Sequence, residues 1–253
     1  MKVLLHGANG RMGQVMTRII SAVPDMEVIC GVDIAPDRLK NPYPVYECLE
    51  CVKEHPDVLI DFSNHACLDA ILCYGVSRRV PLVICSTGFS AEQKQQMVEA
   101  SKQVALLHSA NMSLGINLVL SLVRQAAMLL SDSFDIEIVE RHHNQKVDAP
   151  SGTALMIADA MNSGLENSLR YVFGRHTKHD KRQKKELGIH AVRGGAIVGQ
   201  HDVIFAGQGE VIEISHQALS RDVFAHGAIS AARFIIRKSP GFYTMKDVVE
   251  DAG

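Results

Sequence analysis

The chain has 253 residues, of which 47% are apolar and 21% are charged, so it holds enough apolar material for a packed core and pervasive disorder is excluded. Its 26 basic and 28 acidic residues give a net charge of -2 at pH 7, which disfavours a protein that coats nucleic acid. No stretch approaches the roughly 20 consecutive apolar residues that span a bilayer. The N-terminal apolar run is too short for a signal peptide, so we expect a cytoplasmic protein with no membrane partner.

The first half of the chain alternates short apolar runs with segments of helical composition. Such runs predict strands that are buried on both faces, and repeated strand–helix–strand units predict a parallel, doubly wound sheet. The predicted strands are Val3–His6, Glu27–Val32, Val58–Phe62, Leu82–Cys85 and Val104–Leu107. The predicted helices are Met12–Ala22, Ala66–Arg78 and Ala91–Lys102, the last with Ser90 as its N-cap and Gln93 completing a capping box.

The pattern changes after about Asn111 and predicts an antiparallel or mixed sheet with few helices. Helices are predicted over Leu114–Leu130 and Ala154–Met161, and alternating strands over Asp135–Arg141, Ala196–Phe205 and Glu210–His216. In the first of these strands, Ile136 and Ile138 are placed on one face and Glu137 and Glu140 among the polar positions.

These patterns together predict an α/β protein with two domains. We place a Rossmann-type domain at residues 1–112, completed by residues 222–253, which include a predicted helix over Val223–Lys238. A second α+β domain, built on a mixed sheet, occupies residues 113–221.

All six cysteines lie in the first third of the chain, at positions 30, 48, 51, 67, 73 and 85. A disulfide-bonded secreted domain would spread its cysteines through a short chain, and the C-x-x-C of Cys48 and Cys51 has no second pair at zinc spacing. We therefore interpret the cysteines as small buried apolar residues and predict no metal site.

A glycine-rich turn follows the first predicted strand, in the sequence MKVLLHGANGRMG. Glycine permits a tight turn and lets backbone N–H groups approach a pyrophosphate at the start of a helix. Asp33 ends the second strand, 20 residues after Gly13, where a carboxylate accepts hydrogen bonds from a ribose. A dinucleotide is therefore predicted. Asp33 favours NADH, whereas Arg38 would pair with the 2′-phosphate of NADPH, so the use of one or both stays open.

The richest concentration of reactive side chains is the segment from Glu140 to Ala154, ERHHNQKVDAPSGTA. Two histidines and a lysine offer proton donors and positive charge, and Ser151-Gly152-Thr153 would open a helix whose N-terminus receives a carboxylate. The adjacent histidines point apart on a strand, which argues against zinc. A histidine-rich run alone is more often a solvated loop, but its combination with a dinucleotide fold favours a reaction site.

The turn Gly7–Gly13 and the segment from Glu140 to Ala154 together resemble the dihydrodipicolinate reductase family, which acts in diaminopimelate and lysine biosynthesis. The similarity covers nearly the whole chain and includes Asp61–Ser63, Ser86–Phe89, Val198–His201 and Ser220–Arg221. The resemblance implies an oxidoreductase that transfers a hydride from NADH or NADPH to the cyclic dicarboxylate 4-hydroxy-tetrahydrodipicolinate (dihydrodipicolinate). It also implies a homotetramer assembled through the second domains.

The resemblance further implies roles for single residues. His142 would be a proton donor or acceptor, Lys146 a proton donor and His143 a substrate contact, with Gly152 and Thr153 binding a substrate carboxylate. The implied cofactor-binding residues are Gly7, Ala8, Asn9, Gly10, Arg11, Met12, Asp33, Cys85, Ser86, Thr87, Ser109, Ala110, Asn111 and Met112. Cys85 and Met112 depart from the family, in which glycine and phenylalanine are common at these positions.

Two other functions remain open on the residues alone. A different two-domain dehydrogenase of small amino or keto acids would not need the pair of His142 and Lys146. A regulatory dinucleotide sensor would bind NAD(H) without turnover, and the complete acid–base set argues against it. The basic run at residues 178–185 is interpreted as a solvated loop, with a lip that attracts an anionic substrate as the alternative.

Overall fold

The computed structural model describes residues 1–176 and 178–251, which divide into two compact units. Unit 1 comprises Met1–Leu114 and the chain from Arg221 onwards, and unit 2 comprises Gly115–Ser220. The strands are β1 (Lys2–His6), β2 (Glu27–Val32), β3 (Val45–Tyr46), β4 (Val58–Asp61), β5 (Leu82–Ile84), β6 (Ala105–His108), β7 (Asp135–His142), β8 (Arg170–Phe173), β9 (Glu186–Arg193), β10 (Gly199–Ala206), β11 (Val211–Ala218) and β12 (Gly241–Tyr243). The α-helices are α1 (Arg11–Ile20), α2 (Leu68–Arg78), α3 (Ala91–Ser101), α4 (Leu114–Leu130), α5 (Gly152–Ser163), α6 (Asp222–Ile235) and α7 (Met245–Asp251).

Unit 1 is built on a parallel sheet of seven strands in the order β12-β6-β5-β4-β1-β2-β3. Successive side chains of a strand point to opposite faces, so Leu4 and Leu5 enter two different hydrophobic cores. Helices α1 and α6 cover one face, and α2 and α3 cover the other. This arrangement confirms the predicted Rossmann-type, doubly wound sheet.

The strand order reverses between β1 and β4, because the chain first builds outward through β2 and β3 and then returns to the other side of β1. In open α/β sheets, ligands bind beyond the carboxyl ends of the strands at such a switch point. The segments that follow β1 and β4, which begin at Gly7 and Phe62, are therefore placed where a ligand is expected.

Unit 2 is built on a mixed sheet of five strands in the order β11-β10-β7-β9-β8. Helices α4 and α5 cover one face, where Ile136 and Ile138 of β7 pack against Val123 and Ile157. Glu140 lies two residues beyond Ile138, on this same covered face, and is fully buried. Its assignment to the polar positions was wrong, since strict alternation places residues 136, 138 and 140 together.

Several elements were not predicted from the sequence. Strands β3, β8 and β12 have two to four residues and helix α7 has seven, which is too short for a periodic signal. Strand β9 was missed because its second half alternates weakly, and β10 begins at Gly199 rather than at Ala196. The capping box of Ser90 and Gln93 at the start of α3 is confirmed.

The cysteines follow their prediction only in part. Cys30 and Cys85 are buried, whereas Cys51 and Cys73 are exposed and Cys48 and Cys67 are half-buried. Burial raises the pKa of the Cys30 thiol to about 12, which keeps it protonated and unreactive. The description of all six as buried apolar residues is therefore wrong for the four that solvent reaches.

The basic run at residues 178–185 contains no helix or strand among its residues, all of which are described. Most of its side chains are exposed, but Arg182 is largely covered and donates hydrogen bonds to Asp135, Glu137 and the carbonyl oxygen of Glu186. This arginine fixes the run to the first residues of the neighbouring strands β7 and β9, so the run is not simply solvated. Within the described residues, no helix is both long and apolar enough to cross a membrane.

Candidate active site

The glycine turn after β1 folds as tightly as the sequence suggested. Gly7 has a φ of +80°, and a Cβ there would lie 2.9 Å from the carbonyl oxygen of Phe62. A Cβ at Gly13 would lie 2.2 Å from the carbonyl oxygen of Gly7, so only glycine lets α1 approach the turn this closely. Gly10 is the N-cap of α1 and provides no side-chain cap, which leaves the first N–H groups of the helix available to an anion.

Asp33 is fixed beside this turn by two backbone N–H groups. Its Oδ2 accepts from the N–H of Asn9 at 2.9 Å and its Oδ1 from the N–H of Ala35 at 3.0 Å. An ionised carboxylate offers about four acceptor positions, so two remain for the hydroxyl groups of a ribose. The Asn9 side chain donates to the carbonyl oxygens of Ala35 and Pro36 and thereby holds the loop after β2 against the turn.

A groove of about 320 Å³ opens between the turn, the end of β2 and the end of β4. Asp33 and Arg38 both line it, together with the exposed Ile34 and the segment Phe62–Asn64. The turn suits a pyrophosphate, and the groove combines a carboxylate for ribose with an apolar wall. These features fit the dinucleotide that the sequence predicted.

A buried network joins the carboxyl ends of the neighbouring strands β1, β4 and β5. Asp61 is fully buried and accepts hydrogen bonds from Ser63 and from the hydroxyl of Ser86 at 2.5 Å, and it pairs with His6 Nδ1 at 2.9 Å. Burial alone would raise the pKa of Asp61, but these partners outweigh it and lower the pKa below its ordinary value. His6 is a member of the network that the sequence analysis missed.

The other predicted cofactor residues fall into three groups. Ala8, Cys85 and Met112 point into the hydrophobic core, so only their backbone atoms remain for a ligand. Ser109 and Asn111 are buried: the Ser109 hydroxyl donates to the carbonyl oxygen of Asn111 and accepts from its N–H, and Oδ1 of Asn111 accepts from the N–H of Ser113. The exposed or half-exposed members are Arg11, Met12, Thr87 and Ala110. Met112, at the position where the family commonly has phenylalanine, is 2% exposed and packs in the core of unit 1.

In unit 2, His142 lies at the end of β7 and is tied to a buried carboxylate. Its Nδ1 lies 2.7 Å from Oε2 of Glu140, and Arg193 donates one hydrogen bond of 2.7 Å to each oxygen of the same carboxylate. Burial would raise the pKa of Glu140, but the donors around it lower the pKa instead. Burial, together with the positive charges of Lys146 and Arg193, outweighs Glu140 and lowers the pKa of His142 below its ordinary value, so this imidazole is mainly neutral at pH 7.

Lys146 lies in the loop between β7 and α5 and already contacts a carboxylate. Its Nζ is 2.8 Å from Oδ1 of Asp148. The carboxylate of Asp148 also accepts a hydrogen bond from the backbone N–H of Gly152. Helix α5 starts at Gly152 with Ser151 as its N-cap, and a Cβ at Gly152 would meet nothing within 4 Å. Lys146 and the backbone N–H of Gly152, at the start of α5, thus contact the same carboxylate, that of Asp148.

His143 and Thr153 are both half-buried next to these groups in the chain. Thr153 is in the first turn of α5. Two residues that the sequence analysis did not single out, Arg193 and His201, belong to the same cluster.

His201 lies on β10 and is paired with Glu140 of the neighbouring strand β7. Its Nε2 is 3.0 Å from the Ser151 hydroxyl, and its ring packs edge-on against His142 with centroids 5.2 Å apart. Burial, followed by repulsion from the protonated form of His142, lowers the pKa of His201 to about 4. The only signal for it in the sequence was the Val198–His201 segment, which carried no role.

His201 makes the fold sensitive to acid. An unfolded histidine takes up a proton near pH 6.5, and folded His201 does so near pH 4. Between these values the unfolded state binds more protons, so the free energy of unfolding decreases as the pH is lowered. We expect this residue to remove about 2 kcal/mol from the free energy of unfolding between pH 7 and pH 5. In urea titrations, His201→Gln should lose that part of the pH dependence, whereas replacement of the exposed His55 by Gln should retain it. An unchanged pH dependence in His201→Gln would contradict this assignment.

Among residues 1–176 and 178–251, no group of three or more His, Cys, Asp or Glu side chains is arranged to hold a metal ion. The acid–base residues of unit 2 are instead paired with one another and with arginine.

The fold and the two sites define a two-unit oxidoreductase that uses a pyridine nucleotide. The families described as "Dihydrodipicolinate reductase, N-terminus" and "Dihydrodipicolinate reductase, C-terminus" match residues 1–112 and 115–249. The chain belongs to the dihydrodipicolinate reductase family, which confirms the resemblance seen in the sequence.

Full-length relatives are similar across both units. The 4-hydroxy-tetrahydrodipicolinate reductase of Caldanaerobacter subterraneus subsp. tengcongensis is 52% identical over 249 residues, and that of Clostridium botulinum is 49% identical, with 98% of each chain covered in both cases. The structure of a dipicolinate-bound dihydrodipicolinate reductase from Paenisporosarcina sp. TG-14 has a TM-score of 0.81 at 24% identity and covers 96% of this chain and 97% of its own. That likeness shows a shared fold.

Proposed function

We propose that this protein reduces 4-hydroxy-tetrahydrodipicolinate to tetrahydrodipicolinate with NADH or NADPH, in the biosynthesis of diaminopimelate and lysine. The reaction replaces a ring hydroxyl by hydrogen, so one hydride and one proton enter and one water leaves. The observation that carries the proposal is the cluster in unit 2, where Lys146 and the N-terminus of α5 hold a carboxylate beside the buried pair of His142 and Glu140. The names and high identity of the full-length relatives support the same substrate.

A dicarboxylate needs a site that neutralises its charge. Lys146 and the first N–H groups of α5 supply positive charge, and the contacts that Asp148 makes with them are those we assign to a substrate carboxylate. Gly152 has open space where a side chain would otherwise stand. Gly152 and Thr153 therefore bind the substrate through the start of the helix.

The proton chemistry is divided between two residues. Lys146 carries a proton and a positive charge, so it is the proton donor to the ring atom on which electrons accumulate after hydride addition. His142 is neutral and donates its Nδ1–H to Glu140, so its Nε2 has a lone pair that accepts and returns a proton. His143 is proposed as a substrate contact on the same segment.

The cofactor is assigned to unit 1. The Gly7–Met12 turn would hold the pyrophosphate, and Asp33 the adenosine ribose. The remaining contacts are assigned to the backbone of Cys85–Thr87 and of Ser109–Met112, since most of these side chains are buried or bonded elsewhere. When bound, the reduced nicotinamide supplies the hydride.

Asp33→Ala is expected to narrow any preference for NADH over NADPH. The carboxylate accepts from the ribose hydroxyls of NADH and repels the 2′-phosphate of NADPH, while Arg38 on the same groove attracts that phosphate. The ratio of kcat/KM values for the two nucleotides measures the change. Asp37→Ala, which removes an exposed carboxylate four residues away, is the matched control and should leave the ratio unaltered. If Asp33→Ala leaves the ratio unaltered as well, the carboxylate does not contact the ribose.

The reaction itself is tested by following the absorbance of NADH and of NADPH while the substrate is generated in situ from pyruvate and aspartate semialdehyde. Oxidation that requires both condensation partners supports the proposal. If a protein that binds NADH shows no turnover with either nucleotide, the function is instead that of a sensor or of a dehydrogenase for a different acid.

We also propose a homotetramer assembled through unit 2. Helices cover one face of its sheet, whereas the opposite face carries the apolar side chains of Val139, Val192 and Ile204 at half-buried or exposed positions. Light scattering during size-exclusion chromatography gives the mass directly, and Val192→Glu should dissociate the assembly if this face is buried in it. A monomer at micromolar concentration would refute the proposal.

A further inference from the structure

Glu140 is the most completely enclosed charge in unit 2, with 0% of its surface exposed. Four donors surround its carboxylate: Nη1 and Nη2 of Arg193, each at 2.7 Å, Nδ1 of His142 at 2.7 Å, and the backbone N–H of Ser151 at 2.9 Å. A carboxylate has about four acceptor positions, so its capacity is filled. Burying such a charge is costly unless it is paired, and Arg193 provides the pair through two parallel hydrogen bonds.

The ionised carboxylate dictates the state of the imidazole beside it. A carboxylate only accepts hydrogen bonds, so the 2.7 Å contact requires that His142 carry its proton on Nδ1. Nε2 then has the lone pair. A Cβ at Gly199 would lie 3.0 Å from this Nε2, so the absence of a side chain there leaves room next to the reactive nitrogen.

The same ion pair also reaches the two other parts of the reaction site. Oε1 of Glu140 accepts from Ser151, the residue that caps α5. Nη2 of Arg193 donates to the carbonyl oxygen of Asp148 at 2.5 Å, and the Asp148 side chain contacts Lys146. The pair of Glu140 and Arg193 thus connects the histidine, the lysine loop and the helix N-terminus.

We propose that Glu140, held by Arg193, is a positioning residue that fixes His142 as the Nδ1–H tautomer with Nε2 as its proton-accepting atom. The inference rests on the proposed function, in which His142 handles a proton. A purely structural ion pair would stabilise the fold without setting this tautomer. The positioning role and the purely structural role predict different His142 tautomers when Glu140 is replaced by a neutral residue of the same shape.

Glu140→Gln provides that replacement. Arg193 and the Ser151 N–H can only donate. With the amide oxygen at the Oε1 position, it still accepts from Nη2 of Arg193 and from the Ser151 N–H, and the NH₂ group faces His142 and Nη1 of Arg193. The opposite orientation would turn the NH₂ group toward two donors, Nη2 and the Ser151 N–H, and is therefore less favourable. The imidazole then accepts at Nδ1 and carries its proton on Nε2, which removes the lone pair from the reactive nitrogen. We expect kcat to fall by about 10- to 100-fold, part of the ~10²–10⁴-fold that acid–base catalysis typically contributes. KM for the dicarboxylate and the Kd of NADH should change by less than about threefold, because Lys146, α5 and the nucleotide site are retained.

The chain offers a matched control on the opposite face of the same strand. Glu137 also pairs with a histidine, at 2.7 Å from His190 Nε2, and with the guanidinium groups of Arg175 and Arg182. Glu137→Gln removes the same charge from a similar cluster, with one histidine and two arginines, and among the described residues none of these partners belongs to the reaction site. It should leave kcat within about twofold of the wild type.

The tautomer is read directly by ¹⁵N NMR of histidine-labelled protein, with the His142 signals assigned from their loss in His142→Asn. The proposal requires a protonated Nδ1 in the wild type, a protonated Nε2 in Glu140→Gln and a lower kcat in that variant alone. A wild-type imidazole protonated on Nε2 overturns it even if Glu140→Gln fails to fold. The proposal is also overturned if the His142 tautomer is unchanged in Glu140→Gln, or if the tautomer changes and kcat does not fall. If the wild type does not turn over the dicarboxylate, the proposed function fails while the NMR result still decides the role of Glu140.

Discussion

Replacing Lys146 with alanine is expected to lower kcat by about 10²–10⁴-fold, the range typical of losing a general acid. The lysine is the cation in contact with a carboxylate at the start of α5, and it is three-quarters covered at 22% exposure, so its charge acts in a partly water-excluded site. NADH binding should survive, because the nucleotide is assigned to unit 1. Steady-state kinetics and a fluorescence titration with NADH measure the two effects separately.

Lys181→Ala is the control for this experiment. It removes a lysine from the basic run, where the side chain is exposed, and should leave kcat within about twofold of the wild type. A large loss in Lys181→Ala would favour the alternative in which the basic run attracts the substrate. Wild-type kcat in Lys146→Ala would remove this lysine from the mechanism and weaken the assignment of the whole segment.

The reaction segment was predictable because its residues lie close in the sequence. His142, Lys146 and Gly152 occupy a strand end, a loop and a helix start within about ten residues, so local structure alone brings them together. Arg193 and His201 enter through strand pairing over about 50 to 60 residues, which no local pattern reveals. Glu140 is an intermediate case, since the alternation of Ile136 and Ile138 already pointed to its buried face.

The cofactor site shows a different limit. The glycine positions and Asp33 follow from backbone requirements that are visible in the sequence, and the structure gives them the expected geometry. The side chains of Cys85 and Met112 pack in the core, and that of Ser86 is hydrogen-bonded to Asp61. The position of a residue in a motif therefore did not reveal whether its side chain or its backbone faces a ligand. Side-chain direction depends on packing partners that only the folded sheet supplies.

Arg193→Ala should destabilise unit 2 strongly. It leaves the fully buried Glu140 charge without its cation, and breaking a buried pair from one side typically costs about 3–5 kcal/mol. Urea titration at pH 7 measures the loss. The stability that the lowered pKa of Glu140 gives the wild type is fully present above the ordinary pKa of a glutamate and is lost as the pH falls through the lowered value. The difference between wild type and variant should therefore shrink as the pH falls below the ordinary pKa.

Two comparisons distinguish the cost of leaving the Glu140 charge unpaired from the cost of removing an arginine side chain elsewhere. Arg170→Ala removes an exposed partner of the buried Glu186, which keeps Arg175, and should cost at most about 1 kcal/mol. In a Glu140→Gln background, Arg193→Ala should cost much less than in the wild type, because no buried charge is left unpaired. Equal costs in the two backgrounds would show that Arg193 stabilises unit 2 through packing alone. In that case Arg193 would neither keep Glu140 ionised nor hold it beside His142.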